Sequence, residues 1–453
     1  MGSQRNLDCF KAYDIRGSVP DELNEEIAYG IGRAFVGLTG AQRVCVGRDM
    51  RLSGPSISGA LMNGLNDEGA DVLDIGLSGT EEIYAATAQF ELDGGIAVTA
   101  SHNPAHHNGM KLVRSEARPV SGDTGLNDIR HAVAEGNWPK RRGERGSREK
   151  LESKPSYIRG LLETIDISSL RPLKIVANPG NGCAGPAVDL LAEHLPFEFV
   201  RMQWEPDGTF PNGVPNPLLQ ENRAATADAV TASGADLGIA WDGDFDRCFF
   251  FDAKGRFIEG YYLVGLLAQT LLESSPGERV IHDPRLTWNT QQVVVAAGGT
   301  PVVSKTGHAF IKERMREENA IYGGEMSAHH YFRDFYYCDS GMLPWLLITA
   351  LMSRSGQSLA ALVDARIEAF PCSGEINFRV KDADHVLKAI ESTYPDGNVD
   401  RTDGLSVDFA DWRFNVRSSN TEPLLRLNVE AAGDQALMEA RTKDLSDLIQ
   451  SCA

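Results

Sequence analysis

A strand–helix–strand pattern occurs three times in this chain, and successive copies begin more than a hundred residues apart. The paired strands are Val72–Ile75 with Gly95–Ala100, Glu198–Met202 with Asp236–Ala240, and Pro301–Ser304 with Ala320–Tyr322. A helix between two strands is typical of parallel strands joined by a right-handed crossover. The chain is therefore predicted to contain three similar α/β domains with mixed sheets. Each polar loop after a second strand then lies at a carboxyl edge, where such sheets bind ligands.

The carboxyl-terminal part has a different pattern, with short alternating strands and two helical segments. The strands are Gly374–Val380, Gly404–Phe409, Trp412–Val416 and Leu424–Val429, and the helices lie near Ala383–Thr393 and Gln435–Ile449. This order predicts a smaller α+β domain with an antiparallel sheet. Since 453 residues are too many for one core, we expect four domains, with boundaries at 1–146, 147–253, 254–368 and 369–453.

Charge and cysteine content exclude several classes of protein. The chain has 63 acidic and 44 basic residues, and a net charge of −19 argues against nucleic acid as a partner. Its seven cysteines include no Cys-x-x-Cys pair, which favours a reducing compartment and no zinc site. The amino terminus is polar and the longest apolar runs are too short to cross a bilayer. We therefore expect a cytoplasmic monomer that binds no membrane.

Ser101-His102-Asn103-Pro104 follows the apolar run Gly95–Ala100, and Lys111 lies a few residues further on. A hydroxyl at the end of a buried strand, beside imidazole and ammonium groups, is a candidate to accept and return a transferred group covalently. Ser, Asn and Pro also form turns for local reasons, so an ordinary turn is the alternative.

Asp242, Asp244 and Asp246 alternate along one loop, so that their carboxylates can face a single point. Hard oxygen ligands at this spacing suit Mg²⁺. The loop lies between two apolar strands, and carboxylates clustered between core strands need a cation. We favour a magnesium site over the alternative, a solvated acidic turn.

Two further loops combine groups that bind sugars or phosphates. Arg417-Ser418-Ser419-Asn420-Thr421 offers a planar guanidinium and neutral donors for a phosphate, and its alternative is a polar hairpin turn. Glu325, Ser327 and His329 can hydrogen-bond sugar hydroxyls, although a helix capped by Ser327 is also compatible with this sequence. The weaker candidates are Gly307, His308, Arg285, Tyr13 and Arg16, each in a short polar turn.

Taken together, these loops resemble the α-D-phosphohexomutase superfamily, and within it the bacterial phosphomannomutase/phosphoglucomutase group. The matching segments are Lys11–Gly17, Thr99–Pro104, Asp242–Arg247, Gly324–Ser327 and Arg417–Thr421, which occur in family order along nearly the whole chain. The resemblance implies a heart-shaped molecule of three α/β domains and a smaller fourth domain around a central cleft.

The resemblance also implies roles for individual residues. Ser101 is then the phosphoserine, and Asp242, Asp244 and Asp246 hold Mg²⁺ together with a phosphoserine oxygen. The residues expected around the reacting groups are Arg16, His102, Lys111, Arg247 and His308. The residues expected to bind substrate are Tyr13, Arg247, Arg285, Gly307, His308, Glu325, Ser327, His329, Arg417, Ser419, Asn420 and Thr421. Ala328 departs from the glycine of many relatives, and Arg285 replaces a lysine found in some members.

The implied reaction interconverts hexose 6-phosphates and hexose 1-phosphates. Phosphoserine donates its phosphoryl group to a hexose monophosphate, the resulting 1,6-bisphosphate turns over, and the other phosphate returns to Ser101. Glucose 1,6-bisphosphate is then an activator. A loop that contacts O3 and O4 is nearly blind to C2, so we expect use of both mannose and glucose phosphates. Lys111, His102 and His308 all remain candidates for the general base.

Two other activities are alternatives. Phosphoglucosamine mutases have glutamine where this chain has Met326, so we rank that activity lower. A serine-dependent sugar phosphatase needs a wet site, whereas a fourth domain with its own phosphate loop implies that water is excluded.

Overall fold

Four β-sheets organise the chain, which the computed structural model describes over residues 6–136, 144–418 and 424–452. These residues form two compact units. One consists of Met1–Phe257 with Asp334–Gly356, and the other of Ile258–Arg333 with Gln357–Ala453. Residues Ser419, Asn420 and Thr421 of the predicted phosphate loop lie outside the described ranges.

The first sheet is mixed and has the strand order β1-β5-β4-β2-β3-β7, with β6 beside β5. Its strands are Ile15–Ser18 (β1), Arg43–Arg48 (β2), Asp71–Leu77 (β3), Gly94–Val98 (β4), His107–Arg114 (β5), Arg118–Pro119 (β6) and Arg148–Lys150 (β7). The helices are Glu25–Thr39 (α1), Gly54–Glu68 (α2), Thr80–Gln89 (α3) and Leu126–Glu135 (α4). Strand β4 is parallel to β2 and antiparallel to β5, so the loop after β4 turns the chain back along the same sheet.

The second sheet repeats this arrangement with the order β12-β11-β10-β8-β9. Its strands are Lys174–Asn178 (β8), Glu198–Arg201 (β9), Leu237–Trp241 (β10), Cys248–Asp252 (β11) and Phe257–Ile258 (β12), and the helices are Lys154–Leu162 (α5), Ala184–Ala192 (α6) and Ala224–Ser233 (α7). Strand β10 is parallel to β8 and antiparallel to β11.

The third sheet lies in the second unit, where its strands have the order β14-β13-β15-β16. They are Arg279–His282 (β13), Thr300–Val303 (β14), Tyr322–Gly324 (β15) and His330–Phe332 (β16), with helices Gly260–Ser274 (α8), Trp288–Ala296 (α9) and His308–Glu318 (α10). Strand β15 is parallel to β13 and antiparallel to β16. The predicted three similar α/β domains with mixed sheets are thus confirmed.

Residues Asp334–Gly356 belong to the first unit, although they follow the third sheet in sequence. They include Cys338–Asp339 (β17) and the helix Leu343–Ser355 (α11). The buried Glu81 carboxylate accepts hydrogen bonds from the backbone of Gly341 at 2.5 Å and Met342 at 3.3 Å. The ring of Trp345 packs against Phe199, with centroids 6.1 Å apart. These contacts attach α11 to the elements of the first two sheets.

The fourth sheet is antiparallel throughout, as predicted, with the order β18-β22-β21-β20-β19. The strands are Ile376–Arg379 (β18), Asn398–Asp400 (β19), Leu405–Asp408 (β20), Trp412–Ser418 (β21) and Leu424–Ala431 (β22), and the helices are Leu359–Ala369 (α12), Ala383–Thr393 (α13) and Gln435–Cys452 (α14). Alternating residues Phe414, Val416, Leu425 and Leu427 form its core with Ile449 of α14. Burial of such apolar side chains stabilises the domain by about 1.5–3 kcal/mol each.

Local sequence explains where several helices begin and end. Asn24 accepts a hydrogen bond from the backbone of Ile27 and so caps the start of α1, which ends at Gly40 with a φ of 70°. Helix α13 begins at Asp382, whose side chain accepts from the backbone of His385. Of the helices in the described ranges, none alone is long and apolar enough to cross a bilayer, and Leu343–Ser355 with Leu359–Ala369 meet that test only as a pair.

Candidate active site

The loop after β4 places Ser101 in a buried and strained position. Its φ is +48°, in the left-handed region that non-glycine residues rarely adopt. The backbone N–H of Ser101 donates to the Thr99 hydroxyl at 2.9 Å. Its own hydroxyl donates to Asp242 Oδ2 at 2.7 Å and lies 3.0 Å from His102 Nδ1. The backbone conformation therefore directs Oγ toward the aspartate loop of the second sheet.

That aspartate loop joins β10 to β11 and brings its three carboxylates together. One oxygen from each of Asp242, Asp244 and Asp246 lies within 4.8 Å of the others, and all three residues are buried. Phe245, between the last two, has a φ of +46°, and this turn lets the alternating aspartates face one point. The solvated acidic turn that the sequence left open is therefore wrong.

Gly243 makes the close approach of the two loops possible. A Cβ at this position would lie 2.6 Å from the Ser101 carbonyl oxygen, closer than carbon and oxygen can pack. Asp244 Oδ2 accepts from the hydroxyls of Thr80 at 2.6 Å and Thr99 at 3.2 Å, which orients it toward the same point.

Lys111, on β5, is the cation nearest to these carboxylates. Its Nζ donates to Asp244 Oδ2 at 2.8 Å and also to Asp246 Oδ2. Burial opposes its charge, but Asp244 and Asp246 outweigh that cost and raise the pKa of Lys111. Lys111 is thus held protonated, a state that suits a charge partner or proton donor better than a base.

Arg247 connects the first aspartate to His102. Its Nε donates to Asp242 Oδ2 at 3.0 Å, and Nη2 contacts both Asp242 and His102 Nδ1. Burial opposes the ionisation of Asp242, but Arg247 outweighs it and lowers the pKa of that carboxyl. Burial and the Arg247 charge lower the pKa of His102 to about 4, so this imidazole is neutral at pH 7.

Arg16 and Tyr13 lie at the start of the first sheet. Arg16 Nε donates to Asp14 at 2.7 Å, and its Nη1 donates to the Asn103 side chain at 2.8 Å. Arg16 therefore contacts the Ser101 loop directly. Tyr13 is half-buried just before β1. The first unit thus brings Ser101, His102, Lys111, Arg16, Arg247 and the three aspartates together.

Asp49 and Arg51, which the sequence analysis did not single out, also contact the Ser101 loop. Asp49 Oδ2 accepts from the Thr99 hydroxyl at 2.7 Å, and Arg51 donates to several carbonyl groups of the loop. Both follow β2, which is parallel to β4 and adjacent to it. The carboxyl ends of neighbouring parallel strands meet at one edge of a sheet, but that β2 and β4 are neighbours is not recorded in any local motif.

The second unit brings together a separate set of predicted residues around the hairpin from β15 to β16. Glu325 Oε1 accepts from the Gly307 backbone at 2.9 Å, and its Oε2 accepts from the Tyr331 hydroxyl at 2.6 Å. His329 Nδ1 lies 3.4 Å from both Glu325 Oε2 and Ser327 Oγ. Burial raises the pKa of Glu325. His308 begins α10, directly after Gly307.

The hairpin turn excludes the helix that Ser327 might have capped, because the chain enters β16 at His330. Ala328 occupies the tightest point of this turn with a φ of +69°. A glycine adopts such a backbone without the steric cost that a Cβ imposes. The departure at Ala328 noted in the sequence therefore falls where the backbone favours glycine.

Arg285 links this hairpin to the fourth sheet's domain. Its guanidinium donates to Asp283 at 2.7 Å, to Glu375 at 3.2 Å and to Ser327 Oγ at 3.2 Å. Arg417, at the end of β21, is also buried, and burial and the nearby Arg285 charge lower its pKa. Among the residues that the structure describes, the Nε groups of Arg285 and Arg417 have no hydrogen-bond partner. Arg285 is already paired with Asp283 and Glu375, whereas the buried Arg417 keeps a donor that suits an anion.

Family models match the chain in four consecutive segments. They are described as phosphoglucomutase/phosphomannomutase, alpha/beta/alpha domains I, II and III, and C-terminal domain, and they match residues 8–140, 155–255, 259–370 and 375–447.

Individual relatives match over nearly the whole length. The chain is 61% identical over 447 residues to the phosphohexose mutases of Xanthomonas campestris pv. campestris, covering 98% of this chain and 99% of that protein. It is 59% identical over 451 residues to the phosphomannomutase of Salmonella typhimurium, with 98% and 99% covered. The crystal structure of a phosphoglucomutase/phosphomannomutase family protein from Burkholderia thailandensis matches with a TM-score of 0.88 and 32% identity, over 100% of this chain and 98% of that one.

The buried His330, which follows His329 in sequence, is expected to make the free energy of unfolding depend on pH. It is fully buried, its Nδ1 lies 2.6 Å from the Tyr322 hydroxyl, and burial lowers its pKa to about 3. An unfolded histidine binds a proton below a pH of about 6.5, whereas the native one stays neutral, so acid favours the unfolded state. At pH 5 this linkage removes about 2 kcal/mol from the free energy of unfolding.

The variant His330→Gln is expected to lose that part of the pH dependence, whatever its stability at pH 7.5. Urea denaturation of the wild type and the variant at pH 7.5 and pH 5 measures the difference. His385→Gln, at an exposed position of α13, is the control and keeps the wild-type slope. Equal slopes for all three proteins would contradict the prediction.

Proposed function

This chain belongs to the phosphoglucomutase/phosphomannomutase family, whose activity is the interconversion of hexose phosphates, and we propose that Ser101 is the group that transfers the phosphate. In the forward half-reaction the P–Oγ bond of phosphorylated Ser101 breaks and a P–O bond to a sugar hydroxyl forms. The hydroxyl proton passes to a base, and Ser101 Oγ takes up a proton as the P–Oγ bond breaks. In the second half-reaction the Ser101 hydroxyl loses its proton to a base and accepts the other phosphoryl group of the 1,6-bisphosphate. The sugar oxygen that leaves takes up a proton, and a hexose phosphate isomer is released.

One observation supports this proposal most directly: Ser101 Oγ is hydrogen-bonded to the aspartate loop, whose carboxylates also bind buried cations. Asp242 accepts from Oγ at 2.7 Å, and Arg247 and Lys111 both contact aspartates of the loop. Phosphoryl transfer depends mainly on positioning and on neutralising the phosphate charge. A protonated Lys111 can balance the transferred group, and His102 and His308 remain as candidates for the base.

The residues of the aspartate loop fit Mg²⁺, and we propose that Asp242, Asp244 and Asp246 hold it. Asp244 Oδ1 is buried and has no hydrogen-bond partner among the described residues. Burial and the neighbouring Asp244 raise the pKa of Asp246, a repulsion that a divalent cation would relieve. When bound, Mg²⁺ supplies charge neutralisation on the phosphoryl oxygens.

For the sugar and its other phosphate we propose the residues of the second unit. Glu325, Ser327 and His329 would contact sugar hydroxyls, with Gly307 and His308 as further substrate contacts. Tyr13, in the first unit, is proposed as another substrate contact. Arg417 would bind the phosphate that is not transferred, together with Ser419, Asn420 and Thr421. The buried Arg417 guanidinium, whose Nε has no hydrogen-bond partner among the described residues, supports an anion here. Because contacts to O3 and O4 do not discriminate at C2, we propose use of both mannose and glucose phosphates, with glucose 1,6-bisphosphate as activator.

Phosphoglucosamine mutase is a weaker candidate. Met326, where those enzymes have glutamine, is buried, and its sulfur accepts a hydrogen bond from Asn428 Nδ2 at 3.2 Å. A residue packed in this way offers no polar group to an amino sugar. A serine-dependent phosphatase, in which water accepts the phosphoryl group, is the other alternative.

Replacing Ser101 tests the transfer role. We expect Ser101→Ala to lose at least about a thousandfold in kcat while hexose phosphate binding is largely retained, because only the covalent carrier is removed. Coupled assays measure turnover, and calorimetry measures binding. Intact-mass analysis after incubation with glucose 1,6-bisphosphate should show one phosphate on the wild type and none on the variant. Ser56→Ala, at an exposed position of α2, is the control. Turnover by Ser101→Ala would refute the role.

Thermal unfolding with and without MgCl₂ tests the metal site. Mg²⁺ should raise the unfolding temperature of the wild type, because a ligand that binds only the native state stabilises it. Asp244→Asn should abolish this increase, and Asp228→Asn, at an exposed position of α7, should keep it. If Asp244→Asn responds to Mg²⁺ like the wild type, the ion binds elsewhere.

The sugar preference is tested by comparing kcat/KM for mannose 1-phosphate and glucose 1-phosphate. We expect the two values to differ by less than about a thousandfold, or ~4 kcal/mol in transition-state free energy. Glucosamine 6-phosphate and the release of inorganic phosphate are measured in parallel. Higher activity with glucosamine 6-phosphate, or net phosphate release, would instead favour one of the two alternative activities.

A further inference from the structure

Arg51 forms an extensive set of hydrogen bonds with the backbone of the Ser101 loop. It lies just after β2, and its residue is only 1% exposed. Its guanidinium donates to four backbone carbonyl oxygens of one loop: Ser101 at 2.9 Å, Asn103 at 2.6 Å, Pro104 at 2.7 Å and His107 at 2.8 Å. Its remaining donor, Nε, contacts Asp49 Oδ2 at 3.2 Å.

All five N–H donors of the planar Arg51 guanidinium therefore have an acceptor. The Nη2 group serves Ser101 and Asn103, and the Nη1 group serves Pro104 and His107. A lysine ammonium carries three donors at one point and cannot reach four carbonyl groups distributed around a plane. Lysine at this position would therefore leave some of these carbonyl groups without their protein donor, including that of the buried Ser101.

Asp49 fixes the orientation of Arg51 and of the loop together. Its carboxylate accepts from the Arg51 backbone N–H at 2.9 Å and from the Thr99 hydroxyl at 2.7 Å. Thr99 in turn accepts from the Ser101 backbone N–H at 2.9 Å. Both sides of Ser101 are therefore held, its N–H through Thr99 and Asp49 and its carbonyl by Arg51.

Neighbouring groups pack against both the side chain and the backbone of Arg51. The Phe210 ring lies over the guanidinium, 5.2 Å away at its centroid. A Cβ on Gly208 would lie 2.2 Å from the Met50 carbonyl oxygen and 3.0 Å from the Arg51 Cα, so Gly208 packs closely against this stretch of backbone.

We propose that Arg51 is a positioning residue for phosphoryl transfer. It holds the Ser101 loop in its strained conformation, with φ at +48°, so that Oγ stays beside Asp242 whether the serine gives or receives a phosphoryl group. Without that support, Ser101 relaxes toward a common backbone conformation, which moves Oγ away from the aspartate loop. Arg51 contacts no substrate in this role. The inference rests on the proposed role of Ser101.

The Arg51→Lys variant keeps the positive charge but removes the planar set of donors, so it tests positioning of the loop independently of charge. We expect kcat to fall about 100-fold, because small displacements of a reacting group have effects of this size, while KM changes less than about threefold. Intact-mass analysis should show slower phosphorylation of Ser101 by glucose 1,6-bisphosphate. The matched control is Arg33→Lys in the same domain, where Arg33 pairs with Glu68 at 2.7 Å, away from the loop.

Rescue with free guanidinium distinguishes positioning from general loss of structure. In Arg51→Ala, millimolar guanidinium is expected to restore kcat by at least about tenfold, since it can bind the vacated carbonyl groups. Arg33→Ala should gain nothing. If Arg51→Ala does not fold, as judged by circular dichroism, Arg51→Lys alone decides.

The proposal is overturned if folded Arg51→Lys keeps kcat within about threefold of the wild type, or if folded Arg51→Ala is not rescued. It is also overturned if Arg33→Lys loses as much kcat as Arg51→Lys. The Ser101→Ala variant distinguishes a failure of the proposed Ser101 role from a failure of the proposed Arg51 role. If that variant turns over, the role of Ser101 fails, whereas an inactive Ser101→Ala with a fully active Arg51→Lys contradicts only the role of Arg51.

Discussion

Buried charge is the constraint on which the first unit depends. Asp244, Asp246 and Lys111 are all removed from water, and an isolated charge in such a place costs several kcal/mol. They are tolerated because each lies beside an opposite charge, as Asp242 lies beside Arg247. In a chain with a net charge of −19, these cations are gathered locally, beside the carboxylates that they neutralise.

The same structural arrangement occurs in each of the first three sheets and positions these groups. In each of the first three sheets, a strand that is parallel to one neighbour is followed by a hairpin to an antiparallel strand. The hairpins contain Ser101, the three aspartates, and Glu325 with Ser327. The fourth sheet places Arg417 where β21 ends, before the chain returns along β22. Rigid strands on both sides of a loop limit its freedom, which suits residues that must stay within hydrogen-bonding distance of a substrate.

Part of the fold and part of the candidate site could be predicted from the sequence, for different physical reasons. Alternation and apolar runs located some strands of each sheet, and Ala383–Thr393 was predicted with its observed bounds. Strands β2, β8 and β13, which lie between the predicted strands of the three copies, were not predicted. The position of Asp334–Gly356 was not predicted, because its attachment through Glu81 and Phe199 joins residues far apart in sequence. The aspartates were found because their spacing is local. Asp49 and Arg51 were missed, since their importance comes from which strands are neighbours and from backbone carbonyl groups that no side-chain motif records.

The contact between Gly243 and the Ser101 carbonyl group has a mechanical consequence. With no side chain between them, the loops of the first and second sheets touch backbone to backbone, and neither can shift without pushing the other. The Ser101 hydroxyl and the carboxylates of the aspartate loop are therefore held together by main-chain packing as well as by a hydrogen bond. In the proposed reaction, accommodation of different sugars would then fall to the proposed substrate contacts rather than to this pair of loops.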